Sequence, residues 1–155
     1  MTKVSISNSH RLHTPLASDD LVELRVGDRV LFSGVIYTAR DAAHKRLLEA
    51  LKTDEELPIP LEGQVIYYAG PSPTRPGAVI GSAGPTTAAR VDSYTPALLE
   101  GGLKGMIGKG YRSLEVRDAM RNHGAVYFVT VGGAAALISQ HIKRVEMVAY
   151  EDLGT

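Results

Sequence analysis

Cysteine and tryptophan are both absent from the 155 residues of this chain. Without a thiol it can form no disulfide, offer no thiolate nucleophile and ligate neither an iron–sulfur cluster nor a zinc–thiolate centre by itself. Net charge is missing too, since 17 Lys and Arg balance 17 Asp and Glu. No global field therefore draws the chain to nucleic acid or to an anionic membrane surface. No apolar run approaches the roughly 18 residues of a membrane span. The opening MTKVSISNSHRLHTPL has neither an apolar signal core nor an arginine-rich transit pattern. The expectation is a soluble, cytoplasmic chain with no nucleic-acid and no membrane partner.

What is present is enough for a packed domain. At 44% hydrophobic and 22% charged, the composition suits one core, with or without a short ordered arm. Residues 1–17 are polar and patternless and read as an N-terminal arm; 18–155 read as the domain. LVELRV (21–26) and RVLFSGVIYTA (29–39) read as two strands joined by a turn at Gly27-Asp28. TARDAAHKRLLEAL (38–51) reads as a helix capped by Thr38, with Asp41 three residues on and Ala43, Leu47, Leu48 and Leu51 at helical spacing. Five short apolar runs follow: QVIYYAG, GAVIGSAG, LKGMIGKG, AVYFVTVGG and VEMVAY. Helical stretches near 87–100, 113–122 and 134–142 separate four of them. This predicts an α/β chain with a mixed sheet, more purely β at first and built of strand–Gly-loop–helix units later.

Those loops carry the chemistry. GSAGPTTAAR (81–90), GKGYRSLEVRDA (108–119) and TVGGAAALISQHI (130–142) each place glycine where a strand stops and a helix starts. Glycine frees backbone N–H groups, Thr86 and Thr87 add hydroxyl donors, and Arg90, Lys109 and Arg112 add fixed positive charge. These are the parts of an anion cradle, and in open α/β sheets such loops gather at the carboxyl ends of the strands. The same glycines also serve tight turns and close helix packing. None of the loops has the order or spacing of a nucleotide fingerprint. On the helix, His44 lies four residues after Arg40, and a neighbouring cation disfavours the protonated imidazole, which suits a proton-exchanging group.

GDRVLFSGVIYTARDAAHKRL, QVIYYAGPSP, IGSAGPTTAARVDSY, GMIGKGYRS and AVYFVTVGGAAALISQHIKRVEMVAYEDLG occur in that order from about residue 18 onward. Together they resemble the β subunit, or C-terminal domain, of the class I iron–sulfur-dependent fumarate hydratases, whose sibling is the tartrate dehydratase β subunit. The resemblance implies a swivelling β/β/α domain and the reversible hydration of fumarate to (S)-malate. It implies a [4Fe–4S] cluster held by three cysteines of a partner α subunit, in a heterotetramer or larger assembly, which agrees with the lack of cysteine here. It implies that a C4 dicarboxylate is gripped by Thr86, Thr87, Arg90, Lys109, Arg112 and the N–H groups of Gly132 and Gly133. On the same basis His44 is the first acid–base candidate and Thr130 the second, while iron on the partner acts as a Lewis acid on the hydroxyl. Relatives continue beyond EDLG where this chain stops at Thr155, so a shortened C-terminus is the expectation. Tartrate in place of fumarate remains an alternative, as do a phosphosugar- or small-anion-binding enzyme and a non-catalytic interaction module.

Overall fold

The structure is a computed structural model that describes residues 8–130 and 135–153. Two parallel sheets and one layer of helices make up the fold. The smaller sheet pairs β1 (Ser9–His13) with β2 (Arg29–Ser33), joined through a short α1 (Ser18–Leu21). The larger sheet runs β3 (Tyr37–Thr38), β4 (Val65–Tyr67), β5 (Gly105–Gly108) and β6 (Val126–Val129) in that spatial order. Its pairings are all parallel. Between the strands lie α2 (Asp41–Lys52), then α3 (Thr95–Glu100) preceded by a 3-10 turn at Ala88–Val91, and α4 (Leu114–His123). After β6 come α5 (Ala135–His141) and a 3-10 turn at Glu151–Leu153.

The layering follows from the two-residue period of the strands. Ile66, Tyr68, Met106 and Tyr127 point to one face, where Leu47, Leu98, Leu99 and Ala119 of the helices meet them. Val65, Ile107, Val126 and Phe128 point to the other, against Leu12, Val30 and Phe32 of the small sheet. The Phe32 and Phe128 rings meet edge to face at 4.8 Å between centroids, a favoured aromatic geometry. Both faces are thus covered, as an all-parallel sheet requires.

Several sequence expectations are corrected. The Gly27-Asp28 turn forms no hairpin, because β2 pairs in parallel with β1 rather than with residues 21–26. Residues 18–21 are helical instead, with Asp20 accepting from the Ala17 N–H at 2.7 Å and acidic residues filling the first turn. Within the segment read as an N-terminal arm (1–17), residues 9–16 are patterned after all: they contribute β1 and the buried Leu12, Thr14 and Leu16. Thr38 belongs to β3 and does not cap α2, whose N-cap residue is Arg40. GAVIGSAG and VEMVAY form no strands, and the pairings of the named strands are parallel rather than mixed. The helices expected near 87–100, 113–122 and 134–142 are present.

Candidate functional site at the strand ends

Because the four strands of the larger sheet run parallel, their carboxyl ends deliver four loops to one edge of the molecule. Arg40 and Asp41 follow β3, Gly70 comes three residues after β4, Lys109 follows β5 and Thr130 follows β6. The edge is zipped together by backbone bonds that extend the ladder: Ala39 N–H to Tyr67 O, Tyr68 N–H to Ile107 O and Thr130 N–H to Gly108 O, at 2.8–3.2 Å. The Thr86-Thr87 loop is stitched to both sides. Thr86 donates its N–H (2.7 Å) and its hydroxyl (3.0 Å) to Tyr68 O. Ala88 N–H reaches Lys109 O at 2.9 Å, and Lys109 N–H reaches Thr86 O at 3.3 Å. The side chains of Thr87 and Lys109 are left exposed.

Arg40, Asp41, Arg90 and Thr130 line a broad cleft of about 2030 Å³ beside this edge. Arg90 stands 62% exposed, and one Asp41 oxygen accepts from its Nη2 at 2.8 Å and its Nε at 3.1 Å. A pair so wet contributes about 0–1 kcal/mol to stability, but it aims the guanidinium. Arg40 is the residue that sequence reasoning undervalued. Read from sequence it is only the neighbour of His44, yet its guanidinium lies across the end of β4, against Gly70, where a Cβ would meet its Cζ and Nη1. The signal was legible, since an Arg directly after a strand and at a helix start belongs to the same class of position as Arg90. A side chain at position 70 would push the Arg40 guanidinium aside, so glycine there leaves that guanidinium its room.

Two expected site residues lie beneath the edge. Arg112 is 2% exposed in its side chain, and each of its nitrogens is engaged. Nε donates to Asp92 Oδ1 at 2.7 Å, Nη1 to the Tyr68 hydroxyl at 3.1 Å and Nη2 to Thr95 Oγ1 at 2.9 Å. Its guanidinium also lies over the rings of Tyr68 and Tyr127. The open-loop grip expected of Arg112 gives way to an interior network, because a buried guanidinium must satisfy its donors within the chain.

His44 is fully buried. Its Nδ1 is 2.8 Å from Arg40 O, a carbonyl that can only accept, so the neutral ring carries its proton on Nδ1. Nε2 has no partner among the described residues. Burial holds the imidazole well below its ordinary pKa, at about 4, and the Arg112 charge works in the same direction while the Arg40 carbonyl and Asp41 oppose it. The shift has the direction expected from the sequence, but burial and the Arg112 charge cause it rather than the Arg40 charge. The ring packs against Tyr68 at 5.4 Å between centroids, and His44 does not line the cleft. His44, the first acid–base candidate, thus sits in the interior as a neutral ring.

The remaining expectations divide simply. Arg90 and Thr130 face the cleft, Thr86, Thr87 and Lys109 sit on the stitched loops beside it, and Gly132 and Gly133 lie outside the described residues. No group of three His, Cys, Asp or Glu side chains among the described residues could hold a metal ion. Together with the lack of cysteine, the residues present do not fit an iron–sulfur cluster. No helix among them is long and apolar enough to cross a membrane.

Relatives bear on what such an edge serves. The chain is 42% identical over 147 residues to the aerobic class I fumarate hydratase of Salmonella typhimurium, an alignment covering 92% of this chain and 25% of that protein. It is 44% identical over 136 residues to the anaerobic class I fumarate hydratase of Escherichia coli, covering 86% of this chain and 25% of that protein. To the putative L(+)-tartrate dehydratase subunit beta of Methanocaldococcus jannaschii it is 38% identical over 140 residues, covering 88% of this chain and 72% of that subunit. The chain thus spans only 25% of the length of the two hydratases. The family described as Fumarase C-terminus matches residues 2–155, and the chain belongs to that family.

Proposed function

We propose that the chain is the β-type part of an iron–sulfur hydro-lyase that interconverts fumarate and (S)-malate, supplying the grip on a C4 dicarboxylate. The observation that carries this reading is the gathering of Arg40, Arg90 and Lys109 with the Thr87 and Thr130 hydroxyls at the carboxyl ends of four parallel strands. Two carboxylates need fixed cations and hydroxyl donors at a set separation, and planar guanidinium groups hold a carboxylate through two parallel bonds. Asp41 occupies the Nε edge of Arg90, so the grip falls to the remaining Nη donors. Lys109 and Thr87, joined by the backbone bridge between their loops, serve the second carboxylate. Thr130, which lines the same cleft, is the hydroxyl of this chain to which this reading gives the proton. Neutral His44 supports Tyr68 from below instead of touching substrate.

The cluster implied by this reading belongs to a separate α-type subunit or domain, because this chain has no cysteine and no ligand set among its described residues. The cluster supplies Lewis-acid chemistry there; the residues of this chain bind and orient. The parallel sheets with helices on one side support reading the chain as a swivelling β/β/α domain, which in this proposal works within a cytoplasmic heterotetramer or larger assembly. A second reading, tartrate as substrate, is favoured by the Methanocaldococcus relative, which is named as a tartrate dehydratase subunit. The test is anaerobic co-purification with a cluster-loaded α-type partner, followed by turnover assays on fumarate, (S)-malate and L(+)-tartrate. Hydration of fumarate that depends on Arg90 supports the first reading, dehydration of tartrate alone the second, and turnover of neither overturns both.

A further inference from the structure

We propose that Asp92 and Arg112 form a positioning clamp that sets the separation of Arg90 and Lys109 without touching the substrate. The inference rests on the carboxylate grip proposed above. Asp92 follows Arg90 by two residues, and Arg112 follows Lys109 by three. One carboxylate oxygen of Asp92 accepts from Arg112 Nε at 2.7 Å and the other accepts from the Ser113 N–H at 2.9 Å. The carboxylate thereby spans two consecutive residues of the β5–α4 loop and ties it to the segment that carries Arg90.

The rest of the network ties the same two loops to the sheet. Arg112 Nη1 reaches the Tyr68 hydroxyl, and the Tyr68 carbonyl accepts both bonds from Thr86. Arg112 Nη2 reaches Thr95 Oγ1 at the start of α3, which in turn donates to Val91 O at 2.8 Å. Tyr127 of β6 lies under the guanidinium and donates its hydroxyl to Gly110 O at 3.0 Å, one residue from Lys109. Asp92, Arg112, Tyr68 and Tyr127 are each within three residues of a loop residue at the cleft edge, and Thr95 joins them through Arg112 and the Val91 carbonyl next to Arg90. A buried ion pair adds little net stability compared with apolar packing, but its directed bonds fix one geometry. An apolar core would hold the helices without registering the loops.

The experiment uses the assembled enzyme with Asp92→Asn and with the milder Tyr127→Phe, which keeps the ring and removes only the bond to Gly110. Amide hydrogen exchange is read at Ala88 and Lys109, whose N–H groups bridge the two loops. Steady-state kinetics is read on the C4 dicarboxylate that the wild type turns over. The clamp predicts faster exchange at both amides in Asp92→Asn and a rise in KM of about tenfold or more, since displacements near 1 Å are worth up to about a hundredfold. Tyr127→Phe moves both readouts the same way by less, with a melting temperature close to that of the wild type. Unchanged exchange together with unchanged KM in Tyr127→Phe overturns the clamp even if Asp92→Asn fails to fold. Faster exchange in a wild type and variant pair that lack hydro-lyase activity would keep the clamp and discard the proposed substrate.

Discussion

His44 makes the chain sensitive to acid in a way that the structure quantifies. In the unfolded state an imidazole titrates near 6.5, and in the fold His44 titrates at about 4. Between those values the unfolded state binds the extra proton, so stability is full above about pH 6.5, falls as pH drops, and stops falling below about pH 4. That depression corresponds to about 3 kcal/mol, at roughly 1.4 kcal/mol per pH unit. That is a large part of the 5–15 kcal/mol typical of a domain. The charged groups that face the ring act in opposite senses, Arg112 against protonation and Asp41 in its favour. Neither relieves the main cause, which is burial.

The assay is urea unfolding of wild type and His44→Asn from about pH 7 to about pH 4. Asparagine can donate from Nδ2 to Arg40 O as His44 does from Nδ1, but it has no proton to gain. The difference in unfolding free energy between the two proteins should change by about 3 kcal/mol across that window, with wild type losing ground as pH falls. Parallel pH profiles would mean that the buried imidazole is hydrated or already charged, and the account of its surroundings would be wrong.

Arg90→Lys replaces a planar fork with a point donor and should lower kcat/KM by about tenfold to a hundredfold in the assembled enzyme; wild-type kinetics would remove Arg90 from the site. Gly108→Ala puts a Cβ 2.8 Å from Tyr68 Cδ2, so overpacking should cost about 1–3 kcal/mol in denaturant melts, and an unchanged midpoint would show that the Tyr68 ring is not fixed. Purified alone and treated anaerobically with iron and sulfide, the chain should stay colourless because it has no thiolate ligand; cluster-type visible absorption would refute the assignment of the cluster to the partner. The lone chain should bind malate no tighter than roughly millimolar, and calorimetry showing micromolar affinity would mean that its half of the site needs no closure.

How much of this was legible depends on which force shaped each segment. The β4, β5 and β6 strands were readable because they are covered on both faces, which makes VIYY, GMIG and VYFV nearly continuous apolar runs. β1 was not, because it belongs to the thin outer sheet: SHRLH buries only Leu12, and its pairing with β2 depends on contacts far along the chain. GAVIGSAG misled for the opposite reason. Its Val and Ile suggest a strand, but the segment between Pro71 and Pro85 is held by turns such as Ala78 N–H to Arg75 O and by the Ser72–Ser82 exchange. Among the candidate residues, the exposed loop positions of Thr87, Arg90 and Lys109 were readable from residue type and glycine spacing. The buried ones were not, since Arg112 in GKGYRS looks the same whether it reaches out or folds inward. Only the positions of Asp92, Thr95 and Tyr68 decide that.

The division between an exposed grip and a buried scaffold also explains why this chain uses charge as it does. Arg90 and Asp41 are wet, and in water such a pair gains little. The same cations become strong only where water is excluded, because the effective dielectric falls and each charge-assisted bond strengthens. A site left open to water can keep its cations ready at small cost, provided something else holds their spacing. Here that spacing comes from Arg112, whose charge is desolvated once, at folding, and compensated by Asp92, Tyr68 and Thr95. The desolvation that sharpens binding is then left to whatever surface closes over the strand ends. The proposed grip, wet alone and strong when covered, would then belong to a shared site, and this is the physical reason to look for substrate at the junction with the proposed α-type subunit or domain.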